Sequence, residues 1–395
     1  MVDLRFAGPY QAVRRDHTKS AERPGSRVAG PERRVRALFV GSEYAGHRTR
    51  FLNLRATVER EGSLDARFVS ITGRRAGGLI ERLPLPAGLR GRMRAVQEAS
   101  AFASFPRPDV TWTSAAEVLT PYLWAQVGPL RRPMVLDLDC TDEQLEAMAE
   151  WYFSRPPKSG ISRWLANRQE RLLWAATTIF APWSNWAAQS LMRAGIPEEM
   201  IRVIPPGVDL EAWAAPRRRI PEGRPIRVLF VGADFERKGG DLLIELVQGP
   251  LAGRFELDIV TREPITGSAG VRVHHAEPNS PELKNLYAQA DLFVLPTRAD
   301  CFGIAAVEAM AAGLPVVMGD VGGARDIVAD GETGWLIRPD GEALLAALER
   351  AWRERHTLPV MGQRGRRRAE ERFDGDRNDR EIIALLRSLA GVHQA

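Results

Sequence analysis

From residue 35 onward, short apolar runs rich in β-branched residues alternate with longer stretches that carry helical periodicity. The first set of runs is VRALFVG (35–41), ARFVSI (66–71), DVTWTS (109–114), PMVLDLD (133–139), TIFAP (178–182) and IRVIPPG (201–207). None alternates cleanly between apolar and polar, so each strand is expected to be covered on both faces, as in a parallel sheet flanked by helices. The pattern then restarts. PRRRIPEGRP (216–225) is rich in Pro, Gly and Arg and reads as a linker, and IRVLFVG (226–232) echoes the first run. Further runs follow at 255–261, 271–276, 292–296 and 315–319, with helices expected near 239–248, 281–290, 303–312 and 341–354.

The resulting fold class is α/β, with two Rossmann-like parallel-sheet domains. A chain of 395 residues is long enough for two such cores. The expected divisions are a flexible leader at 1–34, a first domain at 35–208, a linker at 209–225, a second domain at 226–372 and a terminal segment at 373–395. Ligands of such sheets sit at the carboxyl ends of the strands, so the cleft between the domains is the natural site.

Composition narrows the function classes. The chain is 44% hydrophobic and 27% charged, as expected of a globular protein. It has no apolar run of membrane-spanning length and no signal-peptide core near its start, which predicts a cytoplasmic location. Two cysteines, Cys140 and Cys301, rule out a disulfide framework, leave too few thiols for a thiolate zinc site and give little support to a redox role.

A net charge of +5 admits nucleic acid, an anionic membrane surface or a phosphorylated small molecule as partner. No recognition helix or aromatic-basic platform is visible, so no nucleic-acid partner is expected. The stretch GRRAGGLIERLPLPAGLRGRMR (73–94) carries six arginines against Glu81 alone. It is either a solvated surface or a peripheral contact with an anionic membrane. The sequence leaves the oligomeric state open.

Two segments carry chemistry. In FVGADFERKGGDLLIEL (230–246) a strand ends at Gly232, Arg237 and Lys238 lie in the turn, and Gly239 and Gly240 open a helix. This suits an anion site whose cations reach phosphate oxygens, or else a glycine turn with solvated basic residues. In TRADCFGIAAVEAMAAGLPVV (297–317), Phe302, Gly303 and Ile304 form the start of a helix that bears Glu308. Free amides and the helix dipole there favour a diphosphate. A carboxylate at Glu308, among small apolar neighbours, suits paired ribose hydroxyls. Asp300 either serves that site or caps the helix. DLD (137–139) reads as strand end and loop rather than a metal site, and His47, after Gly46, either contacts a ligand or is structural.

The segments VGADFERKGG and PELKNLYAQADLFVLPTRADCFGIAAVEAMAAGLPVVMGDVGGARDIVADGETGWLIRP resemble the retaining glycosyltransferases of family 4, also called group 1. VRALFVGSEYAGHRTRFLNL and IRVIPPGVD resemble the family's first domain more weakly. The resemblance implies a GT-B architecture, two Rossmann-like domains facing across a cleft. It also implies transfer of a sugar from a nucleotide-sugar donor to a hydroxyl acceptor, without metal or other cofactor.

The family's paired acids fall on Asp300 and Glu308, and its phosphate-binding lysine on Lys238. The donor site so implied comprises Glu308, Phe302, Gly303, Ile304 and Gly232, with Asp300, Lys238 and Arg237 as catalytic residues. Gly41, Gly46, His47 and Asp139 lie on the acceptor or sugar side. DRNDREIIALLRSL (376–389) matches the helix that returns to the first domain.

Three positions depart from the family. Ala233 stands where an arginine is usual, Asp300 is one methylene shorter than glutamate, and Asp139 and Cys140 stand where a histidine is often found. These departures keep a second reading open, a nucleotide-sugar-binding protein or inactive partner subunit. A nucleotide-sugar epimerase finds no counterparts for its catalytic groups.

Overall fold

In the computed structural model the described residues are 34–42, 45–71, 80, 108–114, 132–153, 160–215 and 220–392. The leader at 1–33 and all of the arginine-rich stretch 73–94 except Ile80 lie outside them.

The first lobe runs β1 (Val35–Ser42), α1 (Ala45–Glu61), β2 (Leu64–Ile71), β3 (Val110–Thr113), β4 (Met134–Leu138), α2 (Asp142–Ala147), α3 (Ala149–Phe153), α4 (Gly160–Ala176), β5 (Ile179–Pro182) and α5 (Asn185–Arg193). Its five strands are all parallel, in the order β2-β1-β3-β4-β5. Phe39 and Trp112, fully buried, stand opposite each other in register on β1 and β3. Gly41, the last residue but one of β1, has no side chain because the Phe51 ring of α1 occupies the place, 2.2 Å from where a Cβ would stand.

The second lobe runs β6 (Ile226–Val231), α6 (Gly240–Gln248), β7 (Phe255–Val260), β8 (Val271–His274), α7 (Pro281–Gln289), β9 (Leu292–Leu295), α8 (Ile304–Ala311), β10 (Val316–Gly319), α9 (Ala324–Ile327), β11 (Gly334–Ile337), α10 (Gly341–Arg353) and α11 (Leu358–Arg372). Its six strands are also parallel, in the order β11-β10-β9-β6-β7-β8. In both sheets the strand order reverses beside the first strand, so the carboxyl ends there open a crevice. Local signals set the helix starts. Ser280 accepts from the Leu283 N–H at 3.2 Å with Pro281 in the first turn, and Asp340 accepts from the Ala343 N–H at 2.8 Å.

Three details differ from the sequence pattern. Residues 201–207 are not a strand. Arg202 and Ile204 donate backbone N–H groups to the carbonyls of Phe180 and Pro182, at 2.8 and 3.0 Å, but Pro205 and Pro206 have no N–H to continue a ladder. The strand β11 and the helix α11, which the pattern did not single out, close the far edge and flank of the second sheet. The segment after 208 is anchored where it is described, since Trp213 and Ile220 are both buried and the Trp213 ring meets Tyr287 edge-on.

The last helix, α12 (Gly375–Val392), leaves the second lobe and packs on the first. Ile382, Ile383, Leu386 and Ala390 join Phe39, Leu54 and Trp112 in one core. Buried Asp379 accepts from Arg50 Nη1 at 2.5 Å and from Thr57 Oγ1 at 3.1 Å, and Arg50 also reaches Asp137 at 3.5 Å. Desolvation raises the Asp379 carboxyl to about 6, even beside Arg50. Among the described residues no helix is long and apolar enough to cross a membrane.

Candidate active site between the lobes

The loops that leave the carboxyl ends of the two sheets meet. On the second lobe, the loop after β9 runs through Asp300 to Gly303 and turns into α8. Gly303 takes φ +97°, a left-handed conformation that side chains rarely adopt, and an added Cβ would stand 2.6 Å from Met318 Cε. The turn starts α8 without a side-chain cap, and its first amides lack intrahelical acceptors, as at any helix start. Phe302 points into the core, 5.9 Å from Trp183 and 6.2 Å from Phe373 between ring centres. Phe302 therefore offers a ligand its backbone more than its side chain, whereas the Ile304 side chain reaches toward Gly46 of the first lobe.

Glu308 lies farther along α8 and is buried, with Oε2 accepting from the Tyr287 hydroxyl at 3.0 Å. Burial raises its carboxyl to about 7, against the opposing pull of Tyr287 and Lys284. The helix around it is apolar on every side, so this acid is held near neutrality until a donor of hydrogen bonds or a rise in pH favours the charge.

Lys238 pairs with Asp300 Oδ2, and both side chains are mostly shielded from water. Burial pulls the Lys238 ammonium below the ordinary lysine range, with Asp300 opposing. Gly232 makes room for this lysine, since a Cβ there would stand 3.0 Å from the Lys238 side chain. Arg237 is buried and engaged. Its Nε donates to Asp234 at 2.7 Å, its Nη1 to the Ala299 carbonyl at 2.8 Å, and its guanidinium lies 4.4 Å from the Tyr152 ring centre. It braces the loop that presents Asp300.

On the first lobe, Gly46 and His47 open α1. A Cβ at Gly46 would stand 3.3 Å from Ile304 Cδ1, so the two helix starts nearly touch across the cleft. His47 Nε2 meets Asp139 Oδ1 at 3.3 Å, just beyond β4. Burial works against the imidazolium, but Asp139, with Asp137 behind it, outweighs it and raises the His47 pKa. The Asp139 carboxyl sits below its usual range, because the pairing with His47 overcomes its burial. His47 Nδ1 is buried and has no hydrogen-bond partner among the described residues. Asp137 accepts from Trp183 Nε1 at 2.6 Å. The DLD run is thus a buried anchor and a loop acid with separate partners.

Several contacts that the sequence pattern did not single out join the lobes. The Tyr152 hydroxyl lies 3.5 Å from Cys301 Sγ, Arg298 stacks 5.2 Å from the Trp151 ring centre, and Asn185 donates to Asp326 at 2.6 Å. Asp139, Cys140 and Cys301 bring one oxygen and two sulfurs within 4.8 Å of one another, the one group of metal-ligand type found among the described residues. Beside this junction a cavity of about 360 Å³ opens between the lobes, lined by Glu143, Met148, Trp186 and Arg193 on one side and Arg298 and Gly322 on the other. Trp183 was the most findable of these residues, since it directly follows a strand whose carboxyl end should face the ligand. The others depend on contacts between distant segments.

Comparison with known proteins agrees with this fold. Residues 29–207 match a family model described as a glycosyl transferase 4-like domain, and residues 225–354 match one described as glycosyl transferases group 1. A D-inositol 3-phosphate glycosyltransferase of Arthrobacter sp. (strain FB24) is 31% identical over 189 residues, 42% of this chain and 45% of that protein. An MMP alpha-(1->4)-mannosyltransferase of Mycolicibacterium hassiacum is 30% identical over 259 residues, 62% of each chain. The chain spans about half the length of the first curated relatives it matches.

Among solved structures, the sucrose-phosphate synthase of Thermosynechococcus elongatus superposes with a TM-score of 0.71 at 20% identity, covering 91% of this chain and all of that one. Anabaena Alr3699/HepE in complex with UDP-glucose gives a TM-score of 0.63 at 19% identity, covering 89% and 99%. These two likenesses speak to the fold. With two successive family models covering both lobes and a GT-B arrangement of parallel sheets, the chain belongs to the group 1, family 4-like glycosyltransferases.

Proposed function

We propose that the protein transfers a sugar, with retention of configuration and without a metal ion, from a nucleotide-sugar donor to a hydroxyl acceptor. The observation that carries the reading is the convergence of Lys238, Asp300, Glu308 and the start of α8 on one lobe with His47 and Asp139 on the other. In this reading the Glu308 carboxylate takes the ribose hydroxyls and the amides of residues 302–304 take the diphosphate. Lys238 leaves Asp300 for a phosphate oxygen when the donor arrives, which frees Asp300 for the sugar. Arg237 holds the loop in place. His47, through its unpartnered Nδ1, and Asp139 line the sugar or acceptor side.

The chemistry asks for positioning and charge stabilisation more than for an acid or base. As the donor bond breaks, negative charge grows on the leaving diphosphate, where the α8 dipole and Lys238 stabilise it. The departing oxygen takes the acceptor's proton on the same face of the sugar. Product nuclear magnetic resonance tests the stereochemistry, and the expected anomeric configuration is that of the donor. Turnover unchanged by a chelator is the expected sign of metal independence, and its loss contradicts that part of the reading.

A second reading, a nucleotide-sugar-binding protein without turnover, draws on Ala233 and on the pairing that neutralises Asp300. A panel of nucleotide sugars separates the two, because a transferase slowly releases nucleoside diphosphate even to water whereas a binding protein returns the donor intact. For the 73–94 stretch the proposal is peripheral contact with an anionic membrane face, worth about 1 kcal/mol per basic residue near the surface. Changing Arg90, Arg92 and Arg94 together to Gln should release the protein from anionic vesicles in a sedimentation assay. Equal binding by the variant removes the proposal.

A further inference from the structure

The chain has two cysteines, and the fold brings them together. Cys140 follows β4 on the first lobe, and Cys301 follows Asp300 on the second. Their sulfurs lie within 4.8 Å of each other, although nothing in the local sequence of either relates them. Cys140 is partly exposed while Cys301 is buried, so a reagent meets Cys140 first. Both belong to the loops that carry Asp139 and Asp300, and neither has a part in the donor site proposed above.

We propose that Cys140 and Cys301 form a reversible disulfide that fastens the two lobes across the cleft. The oxidant is a small disulfide. The Cys140 thiolate attacks one of its sulfurs, releasing one small thiol and leaving a mixed disulfide. Cys301, having lost its proton to solvent, then attacks the Cys140 sulfur, and the second small thiol leaves. Two protein thiols are oxidised by two electrons and one small disulfide is reduced to two thiols. A small dithiol reverses both steps.

The bond holds the Asp139 loop against the Asp300–Gly303 turn. If the donor-site reading is right, it stops the lobes from parting to admit or release a nucleotide sugar. The hydrogen bond with Cys301, together with burial and the neighbouring Asp139, pushes the Cys140 thiol well up. The exchange therefore quickens as pH rises, since the thiolate is the attacking form.

The test uses the full reduced chain treated with oxidised glutathione at mildly alkaline pH. Thiol titration after unfolding should fall from two per chain to none. Intact mass should show loss of two hydrogens with no glutathione attached, and proteolysis should yield one linked peptide pair. The oxidised chain should remain monomeric on a non-reducing gel, melt at a higher temperature, and return to its starting state with dithiothreitol. Cys140→Ser should abolish the link. These readouts need no substrate, so they stand or fall apart from the sugar-transfer reading.

Donor turnover then tests the consequence, with loss on oxidation and recovery on reduction expected for wild type but not for Cys140→Ser. Glutathione adducts on both cysteines, disulfide-linked dimers as the main product, or thiols that react only after a chelator strips a bound metal would each overturn the proposal.

Discussion

Glu308 is the residue whose environment makes the sharpest demand. Its folded pKa of about 7 lies above the ordinary value of 4.5, so the folded state binds this proton more tightly than the unfolded chain does. Its contribution to stability is therefore complete below about pH 4.5 and is lost as pH rises through about 7. Donor binding runs the other way, because the carboxylate is the form that accepts ribose hydroxyls. Nucleoside diphosphate affinity should rise between pH 6 and pH 8 in calorimetry, and Glu308→Gln should flatten that rise. A flat wild-type profile would remove Glu308 from the ribose.

Lys238 and Asp300 form the second residue-scale unit. Each single change to Ala leaves a shielded charge behind, so the double variant should be less impaired than the sum, by about 0.5 to 3 kcal/mol of coupling in unfolding free energy. Additive effects would mean that the pair is not formed in solution. The two segments proposed to hold the donor were legible as local structure, a strand end and a helix start, because each is continuous in the sequence. The pairings of His47 with Asp139 and of Cys140 with Cys301 were not, since each needs elements far apart in the chain to be placed first.

Among the elements, α8 and α12 do different work. The composition of α8 is apolar all round, which announces a buried helix and makes its single acid conspicuous. For helix α12 the resemblance implied a return to the first domain, but not the particular residues it meets there. Its Asp379 meets Arg50 and Thr57 of α1, and that contact ties the end of the chain to the first lobe. Asp379→Ala strands most of a buried arginine's charge and should cost about 3 to 5 kcal/mol in denaturant unfolding, as removal of one partner from a buried pair does. A loss below 1 kcal/mol would show that Asp137 alone satisfies Arg50. The run 201–207 misled because its β-branched start looks like a strand, while its two prolines decide the outcome.

At the scale of the molecule, two parallel sheets present their carboxyl ends to each other, and the repeat of VRALFVG as IRVLFVG marks that duplication in the sequence itself. The closeness of the lobes was not legible, because it rests on aromatic and polar contacts between loops. These include Trp183 against Phe302, Tyr152 against Arg237 and Asn185 against Asp326.

The central claim is that the cleft holds a nucleotide with its ribose on Glu308. The most direct measurement is calorimetric titration of wild type and Glu308→Gln with a nucleoside diphosphate and its 2′,3′-dideoxy analogue, using whichever of the uridine, guanosine and adenosine forms binds best. Wild type should lose about 1.5 to 3 kcal/mol with the dideoxy analogue, the scale of a hydrogen bond to a charged group, and the variant should scarcely distinguish the two. Equal affinity of wild type for both ligands, or no binding of any nucleoside diphosphate, would contradict the account.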